Sequence, residues 1–178
     1  MKVAHVNMQN NQGGAGRAAF RLHRALQRIG VASQFITHRA QGIDRSVYSP
    51  KATPLRLQMA LADRKERAKR KPYNLSVRTK FSANLYPNGM QRFLQSLNLD
   101  LLHLHWIGDG FIPVQALSRF SQPVVWTLHD MWAFTGGCHY TEGCERYQQQ
   151  CGACPILKSD DEQDLSRRIW RHKQRHWA

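Results

Sequence analysis

The stretch Val124–Leu157, VVWTLHDMWAFTGGCHYTEGCERYQQQCGACPIL, combines three features that determine how the whole chain is interpreted. It begins with an apolar run typical of a buried strand, which we extend over Val124–Leu128, and this run is followed by the pair His129-Asp130. An aromatic, glycine-rich loop comes next, and it contains all four cysteines of the chain. Because open α/β sheets bind their ligands at the carboxyl ends of the strands, the His129-Asp130 pair marks a candidate site.

The N-terminus has the pattern of a strand, a glycine-rich turn, a helix and a second strand. Lys2–Asn7 alternates apolar and polar residues, and apolar residues recur at helical spacing from Ala18 to Ile29. Gly30 predicts the end of that helix, and Val31–Thr37 predicts the second strand. The intervening segment, Gly13–Gly16, is neither a GxGxxG nor a P-loop motif, so it is either a tight turn or a phosphate or sugar contact.

Strands and helices continue to alternate along the chain. Helices are predicted around Met90–Leu97 and Val114–Phe120, and strand-like runs at Leu99–Ile107 and Val124–Leu128. Alternation at these lengths predicts a parallel sheet covered by helices, which is a Rossmann-like, doubly wound α/β domain over residues 1–178. The last predicted helix, Asp160–Ala178, reaches the end of the sequence without a stop signal, so we expect a fragment of a longer protein.

The composition points to an anionic partner. The 178 residues include 26 Lys and Arg against 12 Asp and Glu, a formal charge of +14, which favours nucleic acid or an anionic membrane surface. The basic segment Leu55–Lys71 is either a solvated helix face or an amphipathic element that rests on anionic lipid headgroups. We find no long apolar run for a membrane span or a signal peptide, and we therefore expect a cytoplasmic protein.

Histidines and aromatic residues follow the two strand-like runs. His103 and His105 alternate onto one face of their strand, while Trp106 points to the other face. Such histidines are either structural residues or part of a site. His129 could hydrogen-bond a sugar hydroxyl, and Asp130 could accept from a hydroxyl or orient the imidazole. Trp132 and Phe134 would supply an apolar platform for a sugar ring.

The cysteines Cys138, Cys144, Cys151 and Cys154 predict a structural zinc site in the loop. The spacing Cys151-Gly-Ala-Cys154 allows a tight turn to present two thiolates to one metal ion. Free or disulfide-linked cysteines are the alternative, and His139 could replace one thiolate. A redox role is disfavoured, because a thioredoxin-like motif is expected near the start of its domain.

Four segments together carry a resemblance to a known family: Lys2–Asn7, Gly13–Ala19, Leu102–Trp106 and Val125–Trp132. They look like the N-terminal, acceptor-side domain of a family 4 retaining glycosyltransferase with the GT-B fold. The continuation Phe134–Pro155 resembles a subgroup that builds bacterial exopolysaccharide, colanic-acid-like or O-antigen chains.

The resemblance implies a set of roles. A nucleotide-sugar is the donor, and the acceptor is a saccharide or a lipid-linked saccharide at the inner face of the cytoplasmic membrane. A C-terminal nucleotide-sugar domain with a Glu-x7-Glu motif is missing here, so the isolated chain should be inactive. No catalytic metal is expected. His129 and Asp130 are the catalytic candidates, and His129 acts by positioning and charge stabilisation. The substrate-binding candidates are Gly13, Gly14, Gly16, Arg17, His105, Trp106 and Trp132.

Two further interpretations remain open from the sequence. The charge and the cysteine cluster also suit a zinc-containing, basic nucleic-acid-binding module, although the aromatic residues gather around His129 and not along a basic face. A non-enzymatic binding domain is the other alternative.

Overall fold

The computed structural model describes residues 1–40, 43–73, 75 and 79–177. The chain divides into two compact units, each assembled from three segments of the sequence. The first unit comprises Met1–Met59, Gly89–Ile107 and Arg119–His129, and the second comprises Ala60–Asn88, Gly108–Ser118 and Asp130–Ala178.

The first unit contains a five-stranded, wholly parallel sheet. Its strands are β1 (Lys2–Val6), β2 (Ala32–Ile36), β3 (Val47–Tyr48), β4 (Leu101–Leu104) and β5 (Val124–Trp126). Their order in the sheet is β3-β2-β1-β4-β5, so the strand order reverses between β1 and β4. The sheet confirms the Rossmann-like α/β prediction, and the reversal is the point at which such sheets bind ligands.

The described residues form four α-helices: α1 (Gly13–Arg28), α2 (Thr53–Arg70), α3 (Met90–Ser96) and α4 (Leu165–Trp177). Two 3₁₀ helices, Val114–Arg119 and Arg146–Gln148, are also present, and the first takes the place of the helix predicted at Val114–Phe120. No helix in the described ranges is both long enough and apolar enough to cross a bilayer.

The prediction of a buried strand over Val124–Leu128 is wrong in two respects. The strand ends at Trp126, and the side chains of Val124 and Val125 are 38% and 46% exposed. β5 is the last strand in the sheet order and pairs with β4. An apolar run therefore indicated a strand correctly, but an edge strand need not be buried.

The second unit has a core of its own, to which the cysteine-containing segment contributes. Its buried residues are Phe81, Ala83, Cys138, Cys154, Ile156, Leu157, Leu165 and Ile169. Helix α4 begins at Leu165 and not at Asp160, because the carboxylate of Asp164 accepts hydrogen bonds from the N–H of Arg167 at 3.1 Å and the hydroxyl of Ser166 at 2.6 Å. The bond from the Arg167 N–H is that of a helix N-cap.

The glycine-rich segment is the first turn of α1 and not a separate turn before it. Gly16 is buried, and a Cβ placed on it would lie 2.3 Å from the backbone oxygen of Asn10. A Cβ on Gly14 would meet no atom within 4 Å. Close backbone packing therefore requires glycine at position 16 and does not require it at position 14.

These two glycines provide a matched pair of variants. We expect Gly16→Ala to lower the free energy of unfolding by about 1–3 kcal/mol, because the methyl group forces the 7–12 loop away from the helix. Gly14→Ala should be neutral or stabilising by up to about 1 kcal/mol, since alanine restricts the unfolded chain. Urea unfolding of both variants measures the difference, and equal effects would contradict the packing argument.

Candidate functional site

Histidine side chains gather at the point where the strand order of the first unit reverses. His5 on β1 lies directly opposite His103 on β4 in the parallel register. His105 follows β4 immediately, and its N–H donates to the carbonyl of Val6 at 2.9 Å. Alternation along β4 puts His103 and His105 on one face, as predicted, and their rings stack with centroids 4.3 Å apart.

Hydrogen bonds join three of these imidazoles into a chain. His5 Nδ1 lies 3.1 Å from His105 Nε2, and His105 Nδ1 lies 3.1 Å from His129 Nε2. His103 Nε2 is 2.8 Å from the hydroxyl of Thr127, two residues before His129. The structure therefore brings together His105 and His129, which the sequence predicted as site residues, and adds His5, which it did not single out.

Three histidines of the cluster, His5, His103 and His105, are neutral near pH 7. Burial, reinforced by the neighbouring histidines, lowers the pKa of His5 to about 3 and that of His105 to about 3. Burial also lowers the pKa of His103, with His129 as the second cause. A neutral imidazole has one N–H and one lone pair, so each ring can act as a hydrogen-bond acceptor or as a metal ligand.

The loop after β1 is tied to the segment after β4 by two hydrogen bonds. Asn7 Oδ1 accepts from the N–H of Trp106 at 2.9 Å, and the N–H of Met8 donates to the carbonyl of Trp106 at 2.9 Å. These bonds hold the entrance to α1, where Gly13, Gly14 and Arg17 are exposed. The N-cap residue Gln12 makes no side-chain capping bond, and the first turn carries no acidic residue. This helix start therefore retains backbone N–H groups that suit an anion.

Asp130 belongs to the second unit, where it orients a different histidine from the one predicted. Its Oδ2 lies 2.6 Å from His139 Nδ1, and its Oδ1 accepts from the N–H of Trp132 at 2.9 Å. His139 Nε2 is in turn 2.8 Å from the hydroxyl of Ser82. Both ring nitrogens of His139 are therefore engaged in this arrangement.

The series Asp130–His139–Ser82 has the order of atoms found in a Ser-His-Asp triad. Ser82 and His139 are, however, almost completely buried, and the Ser82 hydroxyl already accepts from the N–H of Asp109 at 2.9 Å. A nucleophilic serine must be reached by its substrate. The series is therefore a structural network that holds the loop from Asp130 to His139.

Trp132 does not form the sugar platform that the sequence suggested. Its side chain is only 2% exposed, its indole N–H donates to the carbonyl of Ser82 at 2.8 Å, and Lys173 Nζ lies 3.7 Å from the ring centroid. Burial holds the pKa of Lys173 well below its usual range. The neighbouring Phe134 is exposed. Aromatic character indicated a surface platform, but tertiary packing uses the indole to cover a buried lysine.

The four cysteines line one small cavity of the second unit, together with Phe81, Gly136, Thr141, Arg146, Tyr147, Gly152, Pro155, Ile156 and Ser166. None of the four is in a disulfide bond. The cavity has room for about one water-sized or ion-sized occupant. Burial raises the pKa of Cys138 to about 11 and that of Cys151 to about 12, so both are neutral thiols near pH 7 unless an ion displaces their protons.

Potential metal ligands also approach one another in the first unit. In the described part of the chain, the group in which three ligand atoms all lie within 4.8 Å of one another is His5, His103 and His105. The cysteines line their cavity without meeting that distance in this structure.

Comparison with known sequences agrees with this geometry. Residues 12–172 match the sequence pattern of Glycosyltransferase Family 4. The chain belongs to this family. The family 4 membership confirms the resemblance drawn from the strand ends and does not favour the nucleic-acid-binding alternative.

One relative of this family 4 chain is a protein of Escherichia coli (strain K12) that carries the provisional name colanic acid biosynthesis glycosyl transferase WcaC. The alignment is 177 positions long with 29% identity, and it covers 89% of this chain. The chain spans 40% of the length of that relative. No solved structure matches the chain.

The predicted site residues of this family 4 chain divide between the two units. The first unit holds His105, Trp106, His129 and the glycines and arginine at the start of α1, while the second holds Asp130, Trp132 and the cysteines. Two histidines that the sequence patterns did not single out, His5 and His23, are both fully buried. His23 bonds the hydroxyls of Ser33 at 2.8 Å and Ser46 at 3.0 Å. The sequence signal that could have identified His5 was its position between apolar neighbours in a predicted strand.

The structural role of Asp130 can be measured directly. We expect Asp130→Asn to lower the free energy of unfolding by about 1.5–3 kcal/mol, because it weakens a charge-assisted hydrogen bond in a buried network. Asp109→Asn is the matched control. Its carboxylate is partly exposed and pairs with Lys80 at 3.5 Å, so the expected loss is below about 1 kcal/mol. Urea unfolding measures both, and equal losses would show that Asp130 does not support the loop in this way.

Proposed function

We propose that this chain is the acceptor-side domain of a two-domain, retaining glycosyltransferase. The whole protein transfers a sugar from a nucleotide-sugar to a saccharide or lipid-linked saccharide in surface polysaccharide synthesis. The observation that carries the proposal is the placement of His129, bonded through His105 at the carboxyl edge of a parallel sheet whose strand order reverses there. Family membership and the similarity to a relative named for colanic acid biosynthesis support it.

His129 is the residue that we place nearest to the reacting sugar. Its Nε2 is engaged by His105 Nδ1, so this hydrogen bond fixes the orientation of the His129 ring. An imidazole held in this way can stabilise charge or position a hydroxyl at the transferred sugar without first having to reorganise. His105 is buried, and its role is to position His129. The half-buried Trp106 supplies part of the acceptor surface.

The start of α1 is proposed to contact the donor diphosphate. Gly13 and Gly14 expose backbone N–H groups in the first turn, and Arg17 places a cation beside them. Gly16 contributes indirectly, because it allows the loop from Asn10 to pack against the helix. The complementary nucleotide-sugar site, with its Glu-x7-Glu motif, is proposed to lie outside these 178 residues, which would leave the isolated chain inactive.

The activity is tested on the protein encoded by the complete gene. We expect His129→Ala to lower the turnover number by about 10²–10³-fold, the usual effect of removing one preorganised stabilising group, with no loss of folded protein. His176→Ala, at a partly buried histidine of α4, is the matched control and should retain activity. Product formation from a panel of nucleotide-sugars gives the rate. Wild-type turnover in His129→Ala would remove this residue from the mechanism.

The cysteine cavity is proposed to hold a structural zinc ion. Cys138, Cys144, Cys151 and Cys154 line a space of ionic size. Burial raises the pKa of Cys138, Cys151 and Cys154, so these three thiols stay protonated until a metal replaces their protons. Such an ion would anchor the segment from Gly136 to Ile156 in the second unit.

Metal analysis tests whether the cysteine cavity holds zinc. Protein purified without chelators should contain one equivalent of zinc at this site, and Cys151→Ser or Cys154→Ser should lose both that zinc and thermal stability. Ser159→Ala, a small substitution outside the cavity lining, is the control and should keep the zinc content and thermal stability of the wild type. Cysteine variants that keep the wild-type zinc content would contradict the assignment.

The helix α2 is proposed to dock on an anionic membrane surface. It exposes Leu57 and Leu61 together with a basic C-terminal half, which is the composition of an interfacial helix. Basic residues close to an anionic leaflet contribute about 1 kcal/mol each. The enzyme would thus be held at the inner face of the membrane, beside its lipid-linked acceptor.

Vesicle sedimentation tests the docking element. Binding should increase with the fraction of anionic lipid and fall with salt, and Arg64→Gln combined with Lys69→Gln should weaken it by about tenfold. Arg21→Gln combined with Arg28→Gln removes the same charge from the exposed side of α1 and should have a smaller effect. Equal effects of the two pairs would show that net charge, and not α2, controls binding.

A further inference from the structure

The histidine cluster has a second property that sugar transfer does not require. Three imidazole nitrogens, one each from His5, His103 and His105, lie within 4.8 Å of one another. Nitrogen atoms around one tetrahedral metal ion are about 3.3 Å apart when each metal–nitrogen bond is about 2.0 Å. One pair, His5 Nδ1 and His105 Nε2, is already 3.1 Å apart.

The hydrogen bonds that His103 and His105 make to residues outside this group of three histidines leave one nitrogen of each ring available to an ion. His103 Nε2 is occupied by the hydroxyl of Thr127, and His105 Nδ1 by His129 Nε2. When each of these nitrogens donates its proton outward, His103 Nδ1 and His105 Nε2 carry the lone pairs. Metal-binding histidines are usually held in this way, with the second ring nitrogen donating to a nearby group.

His5 provides the third ligand and an independent sign that the site is incomplete. Its side chain is fully buried, yet its Nε2 has no hydrogen-bond partner among the described residues. A buried polar atom without a partner is costly, and native structures rarely keep one without a reason. An ion on Nδ1 would replace the single bond of the ring to His105, whereas an ion on Nε2 would give the unpartnered nitrogen a partner.

We propose that His5, His103 and His105 form a binding site for a divalent late first-row transition-metal ion. Imidazole ligands suit Zn²⁺, Ni²⁺ and Cu²⁺ better than Mg²⁺ or Ca²⁺, which prefer oxygen. Three neutral ligands do not compensate the charge of the ion, so a fourth position is left for water or an anion. His103 is the most exposed member of the triad and lies on the side from which the ion enters.

The ion has a defined structural consequence. It would join β1 to β4 at the reversal point through His5 and His103, which face each other in register. Through His105 it would also hold the ring of His129, whose Nε2 accepts the outward proton of His105. Metal loading should therefore change the environment of His129 without making His129 a ligand. This inference does not depend on the proposed transferase activity.

Cobalt binding tests the proposal and separates it from the cysteine cavity. Chain stripped with a chelator is titrated with Co²⁺, whose thiolate complexes give strong charge-transfer absorption that imidazole complexes lack. We expect one cobalt site without thiolate charge-transfer absorption, called the sulfur-free site, both in wild-type protein and in Cys154→Ser. His103→Gln should weaken cobalt binding at that site by more than tenfold, and Thr127→Val, which removes an outward bond, by about tenfold. His172→Gln, a histidine of α4, should leave it unchanged.

Absence of a sulfur-free site in the wild-type chain, or unchanged cobalt affinity in both His103→Gln and Thr127→Val, would overturn the proposal. Circular dichroism of each variant shows whether it is folded. Thr127 is exposed, so Thr127→Val decides the question if His103→Gln fails to fold. Histidine ¹⁵N shifts recorded with Zn²⁺ give a second readout, because metal binding moves the resonances of the three ligands whereas hydrogen bonding alone does not change with added ion.

Discussion

The parallel pairing of β1 with β4 is the constraint on which the candidate site depends. Parallel strands end at the same edge of the sheet, so each polar residue that follows an apolar strand is delivered to one place. The register puts His5 opposite His103, and the strand order reverses at that point. A shift of one residue in either strand would turn its histidine to the other face of the sheet.

The two units are stabilised in different ways. The first depends on a ladder of parallel strands with buried apolar residues, such as Val6, Ile36 and Leu104, and it places polar groups at the strand ends. The second combines an apolar core with buried polar side chains whose hydrogen bonds are satisfied, including His139 and Lys173. A satisfied buried network is rigid, but each missing partner is costly. Substitutions in the second unit should therefore affect folding before they affect chemistry.

Sequence reasoning succeeded where the signal was local. Apolar runs and helical spacing located all of the longer elements, and alternation correctly placed His103 and His105 on one face. It failed where a side chain has two plausible environments. Trp132 could have faced a sugar or a core, and Asp130 could have oriented either of two histidines. Only the distances to Lys173 and His139 distinguish these cases, since they depend on segments distant in the sequence.

The sequence by itself determined the family, the α/β class and the residue types at the strand ends, because these follow from local patterns and motifs. The tertiary structure alone decided which of those residues share a site. His5 and His105 are bonded across 100 positions of the chain, and Ser82 and His139 across 57. Contacts of that range are set by strand order and packing, which no local period encodes. Trp132 and Asp130 therefore have structural roles in the second unit, whereas His5, near the N-terminus, is part of the candidate site.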